Sequence, residues 1–263
     1  MYDIFTNMSP IYQALIAGIF TWIINTLGAA LVIFFKDIKK NIMDCLLAIS
    51  AGIMMAAAFF SLLSPAVEMA ESLNMKVYIV ICLGFLLGVL LLVLFNVIFN
   101  KFFKRNENNG FKRCMVLVLS ITLHNIPEGL VIGVAFGSIL YGIEGATLIS
   151  AILLAFGIGI QNFPEGSAVS LPLRREGLSR KKAFFIGHLS GIVEPISSVI
   201  GALLVMKVKL LLPYLLSFAA GAMIFVVISE LIPESQTGKN KEIISIATIF
   251  GFIIMMALDI ALG

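Results

Sequence analysis

Three glutamates stand inside long apolar stretches of this 263-residue chain, and each adjoins a proline. Glu128 is the only charged residue in 114–143, Glu165 in 145–173 and Glu194 in 183–206. A carboxylate among apolar groups is costly unless it is paired. No Lys or Arg lies within these stretches, so the balancing positive charge must come from protons or from a bound cation.

Nitrogen and oxygen donors flank two of these acids. His124 and Glu128 are four residues apart, as are Gln161 and Glu165, so each pair shares one face of a helix. An asparagine follows both His124 and Gln161 and offers a further amide oxygen. Imidazole, carboxylate and amide donors suit Zn²⁺, Fe²⁺ or Mn²⁺, and the absence of thiolates argues against Cu⁺. With three ionised glutamates, one divalent ion would leave a formal charge of −1 and two would leave +1, so a bridged pair of ions or one ion plus a proton is expected.

The composition places these residues in a membrane protein. The chain is 60% hydrophobic and 13% charged, where soluble domains carry about 25% charge, and its mean hydropathy is +1.07. At about 20 residues per span, the length allows roughly eight to ten helices and no folded soluble domain. Disordered, coiled-coil and nucleic-acid-binding classes are excluded. The three cysteines form no CxxC motif, so neither a disulfide framework nor a thiolate metal site is indicated.

Eight membrane-spanning helices follow from the charge pattern. Five windows are free of charge, and the three stretches that contain the buried acids complete the set. No period-two alternation typical of a membrane β-barrel is present. The fold is therefore predicted to be an all-α membrane protein with one transmembrane domain over residues 1–263. The predicted spans are 11–35, 42–66, 77–100, 113–137, 146–172, 182–206, 210–233 and 242–261.

The basic residues predict the orientation of these helices. Fifteen of the 18 Lys and Arg residues lie in the loops after helices 1, 3, 5 and 7, which places those loops in the cytoplasm and both termini outside it. Counted from the basic residues that flank them, Glu128, Glu165 and Glu194 lie roughly 22, 14 and 18 Å from the cytoplasmic boundary. The three carboxylates can therefore occupy one layer.

A motif occurs twice in the sequence. HNIPEG at 124–129 on helix 4 is echoed by QNFPEG at 161–166 on helix 5. Consecutive helices run in opposite directions, so the fold is expected to contain an inverted repeat with a shared site near the midplane. A fainter echo links SLLSP at 61–65 on helix 2 to SELIP at 229–233 on helix 7.

The prolines predict bends beside the acids. Pro127, Pro164 and Pro195 lack a backbone N–H, which frees the carbonyl oxygens four residues earlier and kinks helices 4, 5 and 6. The freed oxygens are those of Leu123, Ile160 and Gly191.

Other polar residues are given structural roles. His188 is expected at the membrane interface rather than on a metal. The acids near helix ends are expected to reach water, with a role at the mouth of a pathway as the alternative; they are Glu68, Glu230, Glu234 and Asp259. The methionines of helix 2, Met54 and Met55, are expected in the core or against lipid, with a soft-ligand role left open.

The residues now quoted, with GSAVSLPLRREG at 166–177 and GHLSGIVEP at 187–195, resemble the Zrt/Irt-like (ZIP) divalent-metal transporters, particularly their prokaryotic GufA-like branch. The resemblance covers essentially the whole chain. It implies a homodimeric metal importer of a prokaryotic plasma membrane, with a binuclear site on helices 4, 5 and 6 and a transport bundle that moves against a scaffold. Carried over by position, the metal ligands are His124, Asn125, Glu128, Gln161, Asn162, Glu165 and Glu194.

The chain departs from the family pattern at two of these positions. Many members have His where this chain has Gln161, and some have Asp where it has Asn162. We expect the amides to make the site less selective for zinc. The loop at 101–113 also lacks the long His-rich insertion of many eukaryotic members.

The leading hypothesis is uptake of a divalent transition metal into the cytoplasm, with zinc expected and iron, manganese or cadmium as alternatives. The only expected partners are the metal ions, the lipid bilayer and a second copy of the chain, with no cofactor and no nucleic acid. An intramembrane metalloprotease is disfavoured, because Asn125 stands where the H-E-x-x-H motif needs its glutamate. The alternative is a cation/proton antiporter that exports a divalent cation, since acid-rich inverted repeats occur there too.

Overall fold

Eight long helices make up the part of the chain that the computed structural model describes, residues 5–35, 39–102, 110–141, 147–207, 209–238 and 240–262. Each is long and apolar enough to cross a membrane, as the sequence predicts. Their bounds are α1 Pro10–Phe34, α2 Lys40–Ser72, α3 Val77–Phe102, α4 Gly110–Ser138, α5 Leu148–Arg175, α6 Arg180–Ser190 with Val193–Lys207, α7 Leu212–Ser235 and α8 Lys241–Leu262.

Local sequence explains where several helices begin. Pro10 occupies the first turn of α1, where a missing N–H costs nothing. Thr147 and Ser150 form a capping box at the start of α5. Ser179 caps α6 by accepting a hydrogen bond from the backbone N–H of Lys182 at 3.3 Å. The ends of α5 and α6 that carry the basic residues therefore meet in a short, well-capped turn.

The helices pack in symmetric pairs. The most extensive contacts join α4 to α6 and α1 to α5, and a second set joins α2 to α8 and α3 to α7. Exchanging α1–α3 with α6–α8, and α4 with α5, converts each pair into its counterpart. This arrangement agrees with the inverted repeat expected from the duplicated motif.

Small residues allow the closest of these contacts. A Cβ at Gly133 of α4 would overlap the backbone carbonyl of Ser198 on α6, and one at Gly28 of α1 would overlap that of Phe163 on α5. The four helices α1, α4, α5 and α6 therefore touch backbone to backbone, as is common in membrane bundles. This close packing brings the duplicated motif and Glu194 together.

The faint echo between α2 and α7 corresponds to a shared distortion. Each helix contains a π-helical segment, Ala58–Leu63 in α2 and Val227–Leu231 in α7. In both cases a proline, Pro65 or Pro233, stands two residues after the segment ends. The short sequence match thus marks equivalent positions of the two repeats.

The three proline-bearing helices of the candidate site behave differently. Helices α4 and α5 continue through Pro127 and Pro164, whereas α6 is interrupted between Ser190 and Val193. One expectation is corrected here: the carbonyl oxygen of Gly191 is not released by Pro195, because it accepts a hydrogen bond from the backbone N–H of Glu194 at 3.0 Å. Glu194 therefore lies in the first turn of the second half of α6, where the helix dipole favours a negative charge.

Candidate metal site

The three glutamates meet in the interior of the bundle. Glu128 on α4, Glu165 on α5 and Glu194 on α6 are all 0% exposed. Glu128 lies within electrostatic range of the other two, and Glu194 within range of Glu165. Among the described residues no Lys or Arg is buried. The interior thus concentrates negative charge without a basic counterpart.

The amide groups of α5 hold two of these carboxylates. Gln161 donates a hydrogen bond through its side-chain nitrogen to Oε1 of Glu128. Asn162 donates through Nδ2 to Oε2 of Glu194 at 2.7 Å and to the backbone oxygen of Thr21 on α1 at 3.3 Å. Adjacent residues of α5 therefore bridge α4, α6 and α1, and their amide oxygens point away from these donated bonds.

Asn125 on α4 is anchored in a similar way. Its Nδ2 donates to the backbone oxygen of Ser190, at the end of the first half of α6, at 3.2 Å. The donor side of this amide is committed to the backbone, and its oxygen remains an acceptor. The same residue therefore both supports the interruption of α6 and offers an oxygen to the interior.

Several buried oxygens of this cluster have no hydrogen-bond donor in the described part of the chain. Buried acceptors left without a donor are costly, and a cation can satisfy several of them at once. Carboxylate and amide oxygens are suitable ligands for divalent cations. The oxygens concerned are Asn125 Oδ1, Glu128 Oε2, Gln161 Oε1, Asn162 Oδ1 and Glu194 Oε1.

Amides as well as acids belong to the set of expected metal ligands. Within the described residues, His, Cys, Asp and Glu side chains form no group of three arranged to hold a metal. The side chain of His124 lies outside the described part, although its backbone is in α4. The structure therefore brings together five of the seven residues expected as ligands: Glu128, Gln161, Asn162, Glu165 and Glu194. It places Asn125 against Ser190 of α6 and does not describe the His124 side chain.

Sequence reasoning missed the contribution of α1. Thr21 and Asn25 are both 0% exposed and stand four residues apart on the helix face that packs against α5 and α6. The signal in the sequence was two polar residues four positions apart in an apolar stretch, which places both on one face of the helix. A search based on charged residues passes over α1, because residues 4–35 contain none.

His188 and Met54, whose roles were considered from the sequence, lie near α1 and α5 respectively. His188 is half-buried, stacks on Trp22 with ring centroids 4.8 Å apart, and its Nδ1 lies 2.9 Å from Oγ1 of Thr26. Met54 is fully buried on α2, one turn after Ser50, whose hydroxyl donates to the backbone oxygen of Gln161 at 3.4 Å. Helix α2 therefore flanks the site, and a ligand role for Met54 stays an open prediction.

Two cavities lie on either side of the cluster. A cavity of about 240 Å³ opens near the end of α2 and α8 and is lined by Ser61, Glu68 and Asp259, among others. A smaller one of about 60 Å³ lies toward the basic ends of the helices and is lined by Asp44, Glu230 and Glu234, together with Lys40 and Arg175. The acids predicted near helix ends thus line both cavities.

Eight membrane-spanning helices and a buried cluster of acceptors without donors among the described residues are what a membrane transporter for cations is expected to have. Comparison with known proteins specifies the class. The sequence profile described as ZIP zinc transporter matches residues 108–259. The chain belongs to the ZIP family of zinc transporters, which are not enzymes, and this confirms the resemblance found in the sequence.

Its relatives include proteins from animals and bacteria. The chain is 36% identical to "Zinc transporter ZIP11" of Homo sapiens over 97% of its own length and 98% of the relative's. It is 32% identical to "Zinc transporter GufA" of Myxococcus xanthus, over 95% and 98%. It is 34% identical to "Zinc transporter ZIPB" of Bordetella bronchiseptica, over 98% and 84%.

Proposed function

We propose that this protein carries a divalent transition metal, zinc foremost, across the membrane into the cytoplasm through the cluster formed by Glu128, Glu165 and Glu194. The observation that supports this most directly is the set of buried oxygens on α4, α5 and α6 that have no donor among the described residues. A divalent ion placed among them would supply the missing positive charge and satisfy several acceptors together.

Ion binding would replace the hydrogen bonds that the side-chain amides now donate to the glutamates. The side-chain nitrogens of Gln161 and Asn162 now donate to Glu128 and Glu194. An arriving ion repels those partly positive N–H groups, so we expect each amide to turn its oxygen toward the metal. The glutamates would then exchange an amide donor for the ion, and His124 would add a nitrogen ligand. Release would reverse this exchange, with protonation of a glutamate assisting.

The two cavities suggest the route. Ala135 and Leu154 line the larger cavity and stand seven residues from Glu128 and Gln161, about 10 Å along their helices. Ala168 lines the smaller cavity and stands three residues from Glu165, about 5 Å away. We infer that the ion enters through the larger cavity, crosses the glutamate layer and leaves through the smaller one, at the basic face.

The number of ions at the site is part of the proposal. Three glutamates and no buried base among the described residues leave room for two divalent ions, or for one ion and a proton. We propose a binuclear arrangement in which Glu165 lies between the ligands of α4 and those of α6. Two zinc ions per chain in equilibrium binding would support this arrangement, and one would replace it by the mononuclear alternative.

Zinc flux into proteoliposomes tests the function. Glu128→Gln and Glu194→Gln keep the side-chain volume but remove the charge, so we expect each to reduce zinc uptake at least tenfold. Glu71→Gln is the matched control, because Glu71 is an exposed acid at the end of α2, and it should transport normally. Normal uptake by both buried variants would show that the cluster is not the transport site.

Direction separates import from the antiporter alternative. Cells that express the protein should accumulate zinc above the level of cells that express Glu194→Gln. An antiporter that exports divalent cations would instead lower the cellular metal content. We propose the plasma membrane of a prokaryotic cell as the location, in keeping with the GufA relative, and a fall in cellular zinc would overturn the proposed direction.

We also propose that the protein is a homodimer in the membrane. The helices α3 and α8 bury only 22% and 17% of their apolar windows, so each presents a long apolar face to lipid or to a second copy. Mass measurement of the detergent-purified protein should give twice the 28.5 kDa chain mass. A mass of one chain would contradict this assembly.

A further inference from the structure

The interruption of α6 leaves backbone carbonyls that need donors inside the membrane. The last carbonyls of any helix have no intrahelical partner, and a carbonyl left without a donor inside the bilayer is strongly unfavourable. Here the first half of α6 ends at Ser190, one turn before Glu194. The groups that donate to these carbonyls therefore lie about one turn from Glu194.

Side chains of α1 supply two of the donors. Nε1 of Trp22 donates to the backbone oxygen of His188 at 2.8 Å. The fully buried Asn25 donates through Nδ2 to the backbone oxygen of Gly187 at 2.9 Å, which also accepts from the hydroxyl of Ser190 at 2.8 Å. The oxygen of Leu189 accepts from the backbone N–H of Ile192, and that of Ser190 accepts from Asn125. All four terminal carbonyls of this half-helix therefore have a donor.

The fit between α1 and the interruption is close. A Cβ at Gly191 would lie 2.8 Å from Nδ2 of Asn25 and 3.1 Å from Cδ1 of Trp22. Any larger residue at position 191 would push both donors away. The glycine thus admits the two side chains to the backbone of α6.

Helix α1 also contacts the second half of α6. A Cβ at Gly18 would lie 2.8 Å from Cα of Pro195, next to Glu194. Between the two contact regions, the backbone oxygen of Thr21 accepts from Asn162, which donates to Glu194 as well. Helix α1 therefore spans the interruption and contacts α6 on both sides of it.

We propose that Trp22 and Asn25 are positioning residues for Glu194. They bind the end of the first half of α6 by its carbonyl oxygens and so fix the direction in which the second half presents its carboxylate. Neither side chain is placed on the metal. The inference rests on the proposed function, since it assigns the residues that set the geometry of the same cluster.

Zinc uptake kinetics of two variants test this role. Trp22→Phe keeps an aromatic ring against His188 but removes the N–H, and Asn25→Leu keeps the volume but removes the amide. Loss of one neutral hydrogen bond should raise KM for zinc roughly fivefold when uptake is normalised to the folded protein in the membrane. Ser245→Ala is the matched control: its hydroxyl donates to the backbone oxygen of Lys241 on α8 at 2.9 Å, away from the interruption, so its KM should stay unchanged.

The outcomes separate positioning from a structural role and from failure of the proposed function. A purely structural role would lower the amount of folded protein and leave KM unchanged, which would overturn the proposal. Absence of zinc uptake by the unmodified protein would refute the proposed function itself, together with the positioning role that rests on it.

A second measurement needs no change to α1. Trp22 is the sole tryptophan of the chain, so its fluorescence reports directly on the end of the first half of α6. Zinc should change its emission in the unmodified protein, and Glu194→Gln should abolish that change. An emission unaffected by zinc in a protein that transports zinc would contradict the proposal, even if the Trp22 and Asn25 variants fail to fold.

Discussion

At the scale of single residues, the site depends on amides that act as both donor and acceptor. Gln161 and Asn162 hold two carboxylates by their nitrogens, and their oxygens are buried without a donor among the described residues. An amide oxygen is a weaker and less selective ligand for zinc than imidazole or carboxylate. The cation preference of this protein should therefore depend on position 161 more than on any glutamate.

Gln161→His should increase selectivity for zinc. Imidazole nitrogen favours zinc over manganese, so we expect the ratio of zinc to manganese uptake to rise about threefold or more. Competition between the two ions in proteoliposomes measures this ratio. An unchanged or lower ratio would show that residue 161 does not contact the transported ion.

Asp259 allows a prediction about the larger cavity. Its Oδ1 accepts a hydrogen bond from Ser61 at 2.8 Å, and its Oδ2 has no donor among the described residues. A carboxylate in this cavity should attract cations, so Asp259→Asn should raise KM for zinc roughly twofold to fivefold, with a smaller effect at high salt. Glu242→Gln, an exposed acid at the other end of α8, is the control. Equal KM values for Asp259→Asn and Glu242→Gln would show that Asp259 does not contribute to the ion pathway.

At the scale of helices, close packing through glycine joins α4 to the second half of α6. The two elements carry Glu128 and Glu194, so the distance between these carboxylates depends on how near the helices approach. The interaction is backbone against backbone at Gly133, where a side chain would overlap Ser198. Substitutions of the glycines of α4 that face α6 should therefore lower stability most where the added Cβ has the least space.

Gly133→Ala should destabilise the protein more than Gly137→Ala. A Cβ at Gly137 would lie 3.2 Å from the nearest atoms of Ala202, which a small shift can relieve, whereas Gly133 has no space. Overpacking of this kind costs about 1–3 kcal/mol. Thermal unfolding in detergent should rank the unmodified protein first, Gly137→Ala second and Gly133→Ala last. The reverse order of the two variants would contradict the packing described here.

The helices themselves were predictable from sequence, and the details at their interruptions were not. Apolar length and the charge pattern indicate eight spans, and the duplicated N-x-P-E-G motif indicates which helices form the site. The bonds that satisfy the end of the first half of α6 join residues more than 160 positions apart, Trp22 to His188 and Asn25 to Gly187. No local pattern encodes such contacts. The release of the Gly191 carbonyl was wrongly predicted because the chain turns there instead of bending.

At the scale of the whole molecule, a cavity whose lining includes acidic side chains lies on each side of one buried acidic layer. The helices that carry the layer, α4, α5 and α6, pack closely with α1, and α2 and α7 flank these four. The larger cavity lies at the ends of α2 and α8 and the smaller one at the basic ends. The sidedness of transport therefore depends on which of these faces is cytoplasmic.

Cysteine labelling tests the predicted orientation. In a background with Cys45, Cys82 and Cys114 replaced by alanine, Lys181→Cys should react with a membrane-impermeant thiol reagent only after the cells are permeabilised. Glu71→Cys, at the opposite end of the bundle, should react in intact cells. Both residues are exposed, so lack of access cannot mimic the result. The opposite pattern would invert the proposed direction of transport.

The central claim is that the transported ion binds among Glu128, Glu165 and Glu194. Crystals of the protein soaked in zinc and measured at the zinc absorption edge locate the metal directly. We expect anomalous density within about 2.2 Å of oxygens from at least two of these glutamates. Anomalous density confined to the cavities, with none between the three glutamates, would contradict the account.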